Sequence, residues 1–244
     1  MPKSAVMPPT GTSPLTDRHR AFVAGATGLT GRALVEELAG RGIETIAHVR
    51  QDQGQLDEWL EWFRTQGSQV DVTAWEQIDI SSTLARLKPS LVFCLLGSNP
   101  TRMRRTGAHK FNPFVDGYDA VDYGYSTMLM RASSSCGSNP RFVLVSAQGA
   151  SEQAPAGLLR AKGKAEWFLA SSSLRYTVVR VATILGTPLE QRRRGRRDRF
   201  LARYGLAREQ WDVTPADLAK VLADAALDPA AVDTTFDPAD YIGA

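Results

Sequence analysis

This 244-residue chain predicts an α/β fold, a doubly wound parallel sheet with helices on both faces. Three observations lead there. Short apolar runs alternate with helix-length amphipathic stretches from residue 21 onward, the order that gives a parallel sheet with right-handed crossovers. A glycine-rich turn joins the first apolar run directly to the first amphipathic stretch. One run, LVFCLLG, is apolar throughout, as a strand covered on both faces must be.

The elements follow in order. AFVAG (21–25) is a short buried strand, and TGRALVEELAGRG (30–42) is a helix with Leu34, Val35 and Leu38 at helical spacing. Gly40 and Gly42 stop it. IETIAHV (43–49) is the second strand and DEWLEWFRTQG (57–67) a helix. QVDVTAW (69–75) is the third strand, and DISSTLARLK (79–88) a helix capped by Asp79 or a nearby serine. LVFCLLG (91–97) is the fourth strand. A loop then leads to a long helix over 119–135. RFVLVSA (141–147) is the fifth strand, GLLRAKGKAEWFLASS (157–172) a helix and YTVVRVATIL (176–185) the sixth strand. TPADLAKVLADAAL (214–227) is a helix with a Thr–Pro start.

The length suits one domain, which would bury roughly 70–75% of its unfolded surface and needs no staple to fold. Residues 1–20, with four prolines and no long apolar run, read as a disordered tail, neither signal peptide nor membrane span. Residues 21–244 form the domain. Cys94 and Cys136 lie far apart, and His19, His48 and His109 have no metal-ligand spacing. A reduced, cytoplasmic protein without a structural metal or a membrane partner is expected.

The net charge of +3 hides an asymmetry. RRRGRRDR (192–199) holds six arginines against one aspartate, a net of +5, so the rest of the chain stands at −2. Basicity confined to one segment argues against a broad nucleic-acid-binding face.

The turn GATGLTGR places glycines at 25, 28 and 31. Glycines let the backbone bend tightly and approach a pyrophosphate, while the following helix N-terminus offers unpaired N–H groups to the phosphates. Thr27 and Thr30 would add hydroxyl donors. A tight turn without a ligand is the plainer alternative. The second strand ends IAHVRQDQ, with Arg50 where a free ribose 2′-hydroxyl usually meets a carboxylate. A guanidinium matches a 2′-phosphate, so NADP is expected over NAD. The alternative is an exposed arginine at a strand end.

These pieces together resemble the atypical short-chain dehydrogenase/reductase family, in its NAD(P)-binding branch with NmrA-like and Tat-interacting-protein-like oxidoreductases. The matching motifs are GATGLTGR, VFCLLGSNP, VDYGYSTMLMRAS, FVLVSAQGA, and AKGKAEWFL leading to YTVVRVATILG. The resemblance implies a Rossmann-like domain with Gly25, Thr27, Gly28, Leu29 and Gly31 along the pyrophosphate and Arg50 at the 2′-phosphate. Leu96, Gly97 and Ser98 would pass the nicotinamide ribose. Ser146 would stand for the family's catalytic serine, and Lys162 for its catalytic lysine, which also holds the ribose. Trp75 would flank the adenine or pack in the core. The part of the chain from about 186 to 244 would cover a substrate.

One departure matters. Four residues before Lys162, where the family's proton-relaying tyrosine stands, this chain has Leu158. Losing a positioned general acid forfeits about 10²–10⁴ in rate, while hydride transfer belongs to the cofactor. Tyr118, Tyr123 and Tyr125 are either packing residues or stand-ins, and Arg160 reads as a solvated helix position. The arginine segment admits three readings: a solvated loop, a site for an anionic substrate, or a contact to an acidic partner or nucleic acid. The leading expectation is an NADP(H)-dependent oxidoreductase acting on a small molecule, as a monomer or homodimer. The alternative is a non-catalytic NADP(H)-sensing binder. A nucleotide-sugar epimerase is disfavoured, because too little chain follows the sixth strand for the substrate domain those enzymes append.

Overall fold

The computed structural model describes residues 19–51, 55–98, 117–186 and 212–238. The order is β1 (Arg20–Ala24), α1 (Leu29–Gly40), β2 (Glu44–His48), α2 (Leu56–Thr65), β3 (Gln69–Asp71), α3 (Gln77–Leu87) and β4 (Leu91–Cys94). A π-wound segment, Asp119–Tyr125, then runs into α4 (Ser126–Ser135). After it come β5 (Arg141–Ala147), α5 (Gly157–Ala170), β6 (Arg175–Val181), β7 (Thr183–Ile184), β8 (Asp212–Val213), α6 (Pro215–Leu227) and β9 (Thr234–Phe236).

Seven strands form one parallel sheet in the order β3-β2-β1-β4-β5-β6-β9. Successive side chains of a strand face opposite sides, and the two core clusters divide on that alternation. Ala21, Val23, Phe93 and Val143 pack with Leu34, Leu38, Phe63, Leu218 and Leu222, beneath α1, α2 and α6. Phe22, Ala24, Val92, Phe142 and Leu144 pack with Ile80, Leu84, Leu129 and Leu169, beneath α3, α4 and α5. Both faces are covered, which is why these strands read as continuous apolar runs. Leu34, Val35 and Leu38 of α1 are fully buried, as their spacing predicts.

Several boundaries differ from the expectation, each for a tertiary reason. β3 keeps only three residues, because beyond Asp71 the chain turns: the Asp71 carboxylate accepts from the Thr73 N–H and hydroxyl. The sixth run breaks at Ala182, after which β7 leaves the main sheet to pair with β8. α3 starts at Gln77 with Glu76 ahead of it and no side-chain cap, so Asp79 lies within the first turn instead. α6 matches its expected start: Thr214 Oγ1 accepts from the Asp217 N–H at 3.1 Å, with Pro215 following. β1 begins at Arg20, the last residue given to the tail; the rest of that tail lies almost wholly outside the described residues.

Residues 187–211, with the whole arginine segment, lie outside the described residues. From Asp212 onward the chain builds the fold itself: α6 packs on α1, and β9 adds a parallel edge strand to β6. No helix among the described residues is long and apolar enough to cross a membrane.

Candidate functional site

β1 and β4 are neighbours, but the chain leaves them for opposite halves of the sheet, so a crevice opens at their C-terminal ends. Ligands of such sheets bind there. The turn after β1 fills the floor of the crevice with backbone alone. Gly25 has φ +86°, and a Cβ on it would stand 2.8 Å from the Leu95 carbonyl oxygen at the exit of β4. A Cβ on Gly31 would stand 2.2 Å from the Gly25 oxygen. Neither position admits a side chain. The Gly28 N–H donates to the Gly25 oxygen at 3.1 Å, closing the turn, and Gly28 then precedes α1.

α1 has no side-chain cap and no acidic residue in its first turn. Its leading N–H groups and the helix dipole therefore face the crevice without an internal anion. Gly28 and Leu29 are exposed and Thr27 half-exposed. Thr30, by contrast, is buried. Arg50 stands just past the end of β2, next in line along the same sheet edge, and its charge reaches His48.

His48 was not expected to matter. It ends β2, and its Nε2–H donates to the Thr73 carbonyl at 2.8 Å. Burial pushes its pKa below the usual imidazole value, outweighing the Thr73 carbonyl and Asp71 carboxylate, and the Arg50 charge acts in the same direction. Trp75 packs edge-on against His48 at 4.8 Å and stacks on Tyr125 at 5.5 Å. Of its two expected roles, Trp75 thus takes the packing one.

The other half of the crevice is built from side chains on four elements. Lys162 of α5 is 6% exposed. Its Nζ donates to the Leu96 carbonyl at 2.7 Å and the Val145 carbonyl at 3.1 Å. It also stands 3.2 Å from Asp122 Oδ1, out of line for a hydrogen bond, so that contact is an ion pair. Asp122, fully buried in the π-wound segment, accepts through Oδ2 from the Ser98 N–H at 3.1 Å and the Ser98 hydroxyl at 2.6 Å. Leu96, Gly97 and Ser98 are thereby moored to the π-wound segment and α5 together. Ser146, at the end of β5, is 2% exposed, and its Oγ has no hydrogen-bond partner.

The structure brings the expected residues to one sheet edge and adds Asp122, which sequence reasoning passed over. It lies in VDYGYSTMLMRAS, quoted for the resemblance without a role for its carboxylate. Arg160, expected as a solvated helix position, is half-buried, and its guanidinium donates to the Ala154 and Pro155 carbonyls ahead of α5. Cys94 is buried beside the site, and burial pushes its thiol pKa up. A separate cleft of about 340 Å³ lies by Trp167, Tyr176 and Arg180. It shares no residue with the crevice, and Arg180 there already pairs with Glu166.

A glycine turn at the switch point, an uncapped helix behind it and a moored strand-four loop define a dinucleotide-binding α/β protein. Residues 25–229 match the family described as NAD(P)H-binding, and the chain belongs to that family, in its atypical short-chain dehydrogenase/reductase branch. It is 27% identical over 185 residues to the mitochondrial NADH dehydrogenase [ubiquinone] 1 alpha subcomplex subunit 9 of Arabidopsis thaliana, covering 76% of this chain and 42% of that protein. It is 30% identical over 175 residues to the chloroplastic protein TIC 62 of Pisum sativum, covering 67% of this chain and 32% of that one. The chain thus spans less than half the length of either relative. Among solved structures, a Bacillus halodurans protein assigned as an NAD-dependent epimerase/dehydratase superposes with TM-score 0.66 at 24% identity, over 92% of this chain and 99% of the other. That likeness speaks to the fold.

Proposed function

We propose that the chain binds NADP(H) in the crevice between β1 and β4 and acts as an oxidoreductase on a small-molecule substrate. The observation that carries this reading is the fit of the first turn. Side chains are sterically barred at Gly25 and Gly31, and the start of α1 lacks an internal anion, the two conditions a pyrophosphate needs. Gly25, Thr27, Gly28, Leu29 and Gly31 would lie along the pyrophosphate. Arg50 would hold the 2′-phosphate, and Leu96, Gly97 and Ser98 would border the nicotinamide ribose. The cofactor, when bound, supplies the hydride. The unpartnered Ser146 Oγ supports a hydrogen bond to a substrate oxygen. The same reading takes the protein as cytoplasmic, working as a monomer or homodimer.

Calorimetry with NADPH and NADH on the wild-type chain and on Arg50→Asp tests this. The substitution should weaken NADPH at least tenfold, from the charge-assisted bonds of about 1.5–3 kcal/mol it removes, and leave NADH nearly unchanged. Equal losses for both would refute the 2′-phosphate assignment. No heat from either nucleotide would remove the reading altogether.

A second reading has its own support. Leu158 carries no phenol, and the Lys162 ammonium is already held by two carbonyls and the Asp122 carboxylate, an arrangement that suits a non-catalytic NADP(H)-sensing binder. Comparable affinity for oxidised and reduced NADP, with no NADPH consumed across a carbonyl panel, would favour it.

A further inference from the structure

We propose that Tyr118 supplies the phenol that Leu158 lacks, as proton donor to a carbonyl substrate; this rests on the oxidoreductase reading above. The first support is position along the layer. In a parallel sheet the helices begin at the ligand-binding edge, and Tyr118 immediately precedes the π-wound segment that starts the fourth helix. π-wound turns of this kind occur frequently at functional sites.

The second support is proximity to the vacated place. The Asp119–Tyr125 segment and α5 pack side by side. Asp122 meets Lys162 at 3.2 Å, and Asp119 meets Lys164 at 3.0 Å. Nearer the ligand edge, Tyr118 meets Gly157, the first residue of α5 and the neighbour of Leu158. A Cβ on Gly157 would stand 3.2 Å from Tyr118 Cδ2 and 3.8 Å from Cε2. The ring therefore lies directly on the opening turn of α5, in space that a glycine leaves. Tyr118 precedes Asp122 by four residues, just as Leu158 precedes Lys162, so both positions stand one turn above the same ion pair.

The third support is elimination among the nearby phenols. The Tyr123 ring lies 5.8 Å from Lys164 Nζ, and Tyr125 stacks on Trp75. Both are taken up in packing. A bound NADPH would supply the hydride to the substrate carbonyl carbon and be left as oxidised NADP. The C=O π pair moves to oxygen, and that oxygen takes the proton of Tyr118 Oη. The phenolate regains its proton from water.

Two readouts test the assignment on the full chain. With tyrosine isotope-labelled at Cζ, adding oxidised NADP should shift the Tyr118 resonance and leave Tyr176, at the β6–β9 edge, in place. With NADPH and either para-nitrobenzaldehyde or phenanthrenequinone as probe, Tyr118→Phe should lower kcat about 100-fold or more at unchanged NADPH affinity. It should also abolish the fall of kcat at alkaline pH that a proton-donating phenol imposes. Tyr118→Phe/Leu158→Tyr should recover the rate. An unmoved Tyr118 resonance, wild-type kcat in Tyr118→Phe, or a wild-type chain that binds NADPH yet reduces neither probe each overturns the assignment and leaves the cofactor reading standing. Loss of NADPH affinity in Tyr118→Phe would assign the ring to packing over Gly157 and overturn it too. A wild-type chain that takes up no NADPH brings down both proposals.

Discussion

The two ends of the crevice are made of different materials. At the β1 end, contiguous residues 25–31 do the work with backbone, and what matters is the absence of side chains. At the β4–β5 end, Leu96, Ser98, Asp122, Val145 and Lys162 converge from four separate places in the chain, and what matters is how their polar atoms pair. The first end can be assembled by one local turn. The second exists only after β4, β5, the π-wound segment and α5 have docked. A steric rule governs one end and an electrostatic rule the other, so different substitutions break them.

The largest effect is expected at the electrostatic end. Asp122→Ala leaves the Lys162 ammonium buried without its counterion and the Ser98 donors without an acceptor, at a cost of about 3–5 kcal/mol. Asp122→Ala/Lys162→Met removes the stranded charge and should recover much of that loss. Urea melts of the three chains measure both values, and a single-variant cost below about 1 kcal/mol, the range of exposed pairs, would show that the pair does not hold this end.

Gly31→Ala probes the steric end. Its Cβ would press on backbone atoms of Gly25 and Ala26 rather than on a flexible side chain. Overpacking of that kind costs about 1–3 kcal/mol, and the displaced turn should weaken NADPH by an order of magnitude or more. The contrast sharpens if Gly31→Ala loses proportionally more cofactor affinity than stability while Asp122→Ala does the reverse.

The smallest effect belongs to His48, between Arg50 and the core. Its pKa is lowered in the fold, so below about 6.5 the unfolded chain takes up a proton that the folded chain refuses. Stability should decline as pH falls from about 6.5 toward the folded pKa. Thermal melts across that range should show the decline, and His48→Gln should flatten it. A variant with the wild-type slope would place the titration elsewhere.

Much of the fold was legible because its signals are local. Among the described residues, six of the seven main-sheet strands and all six α-helices announced themselves by apolar runs and helical spacing, and the split of the core into two faces follows from strand alternation. β9 escaped because three residues of TTF carry no periodicity; their place comes from parallel pairing with β6. The break at Ala182 escaped because the apolar run continues through it while the pairing partner changes to β8. The partners of Arg160 escaped because a side chain's partner depends on which loop the fold brings beside it.

The amino-acid sequence alone determined the doubly wound layering, the glycine turn and the guanidinium after β2, since each is set by residues close together along the chain. Tertiary structure alone decided that Asp122 faces Lys162, that the β4 loop is moored from two helices, and that Tyr118 rests on Gly157. The physical reason is that side chains far apart in sequence acquire partners only when packing removes them from water. There a charge must find its counterion and a ring its space.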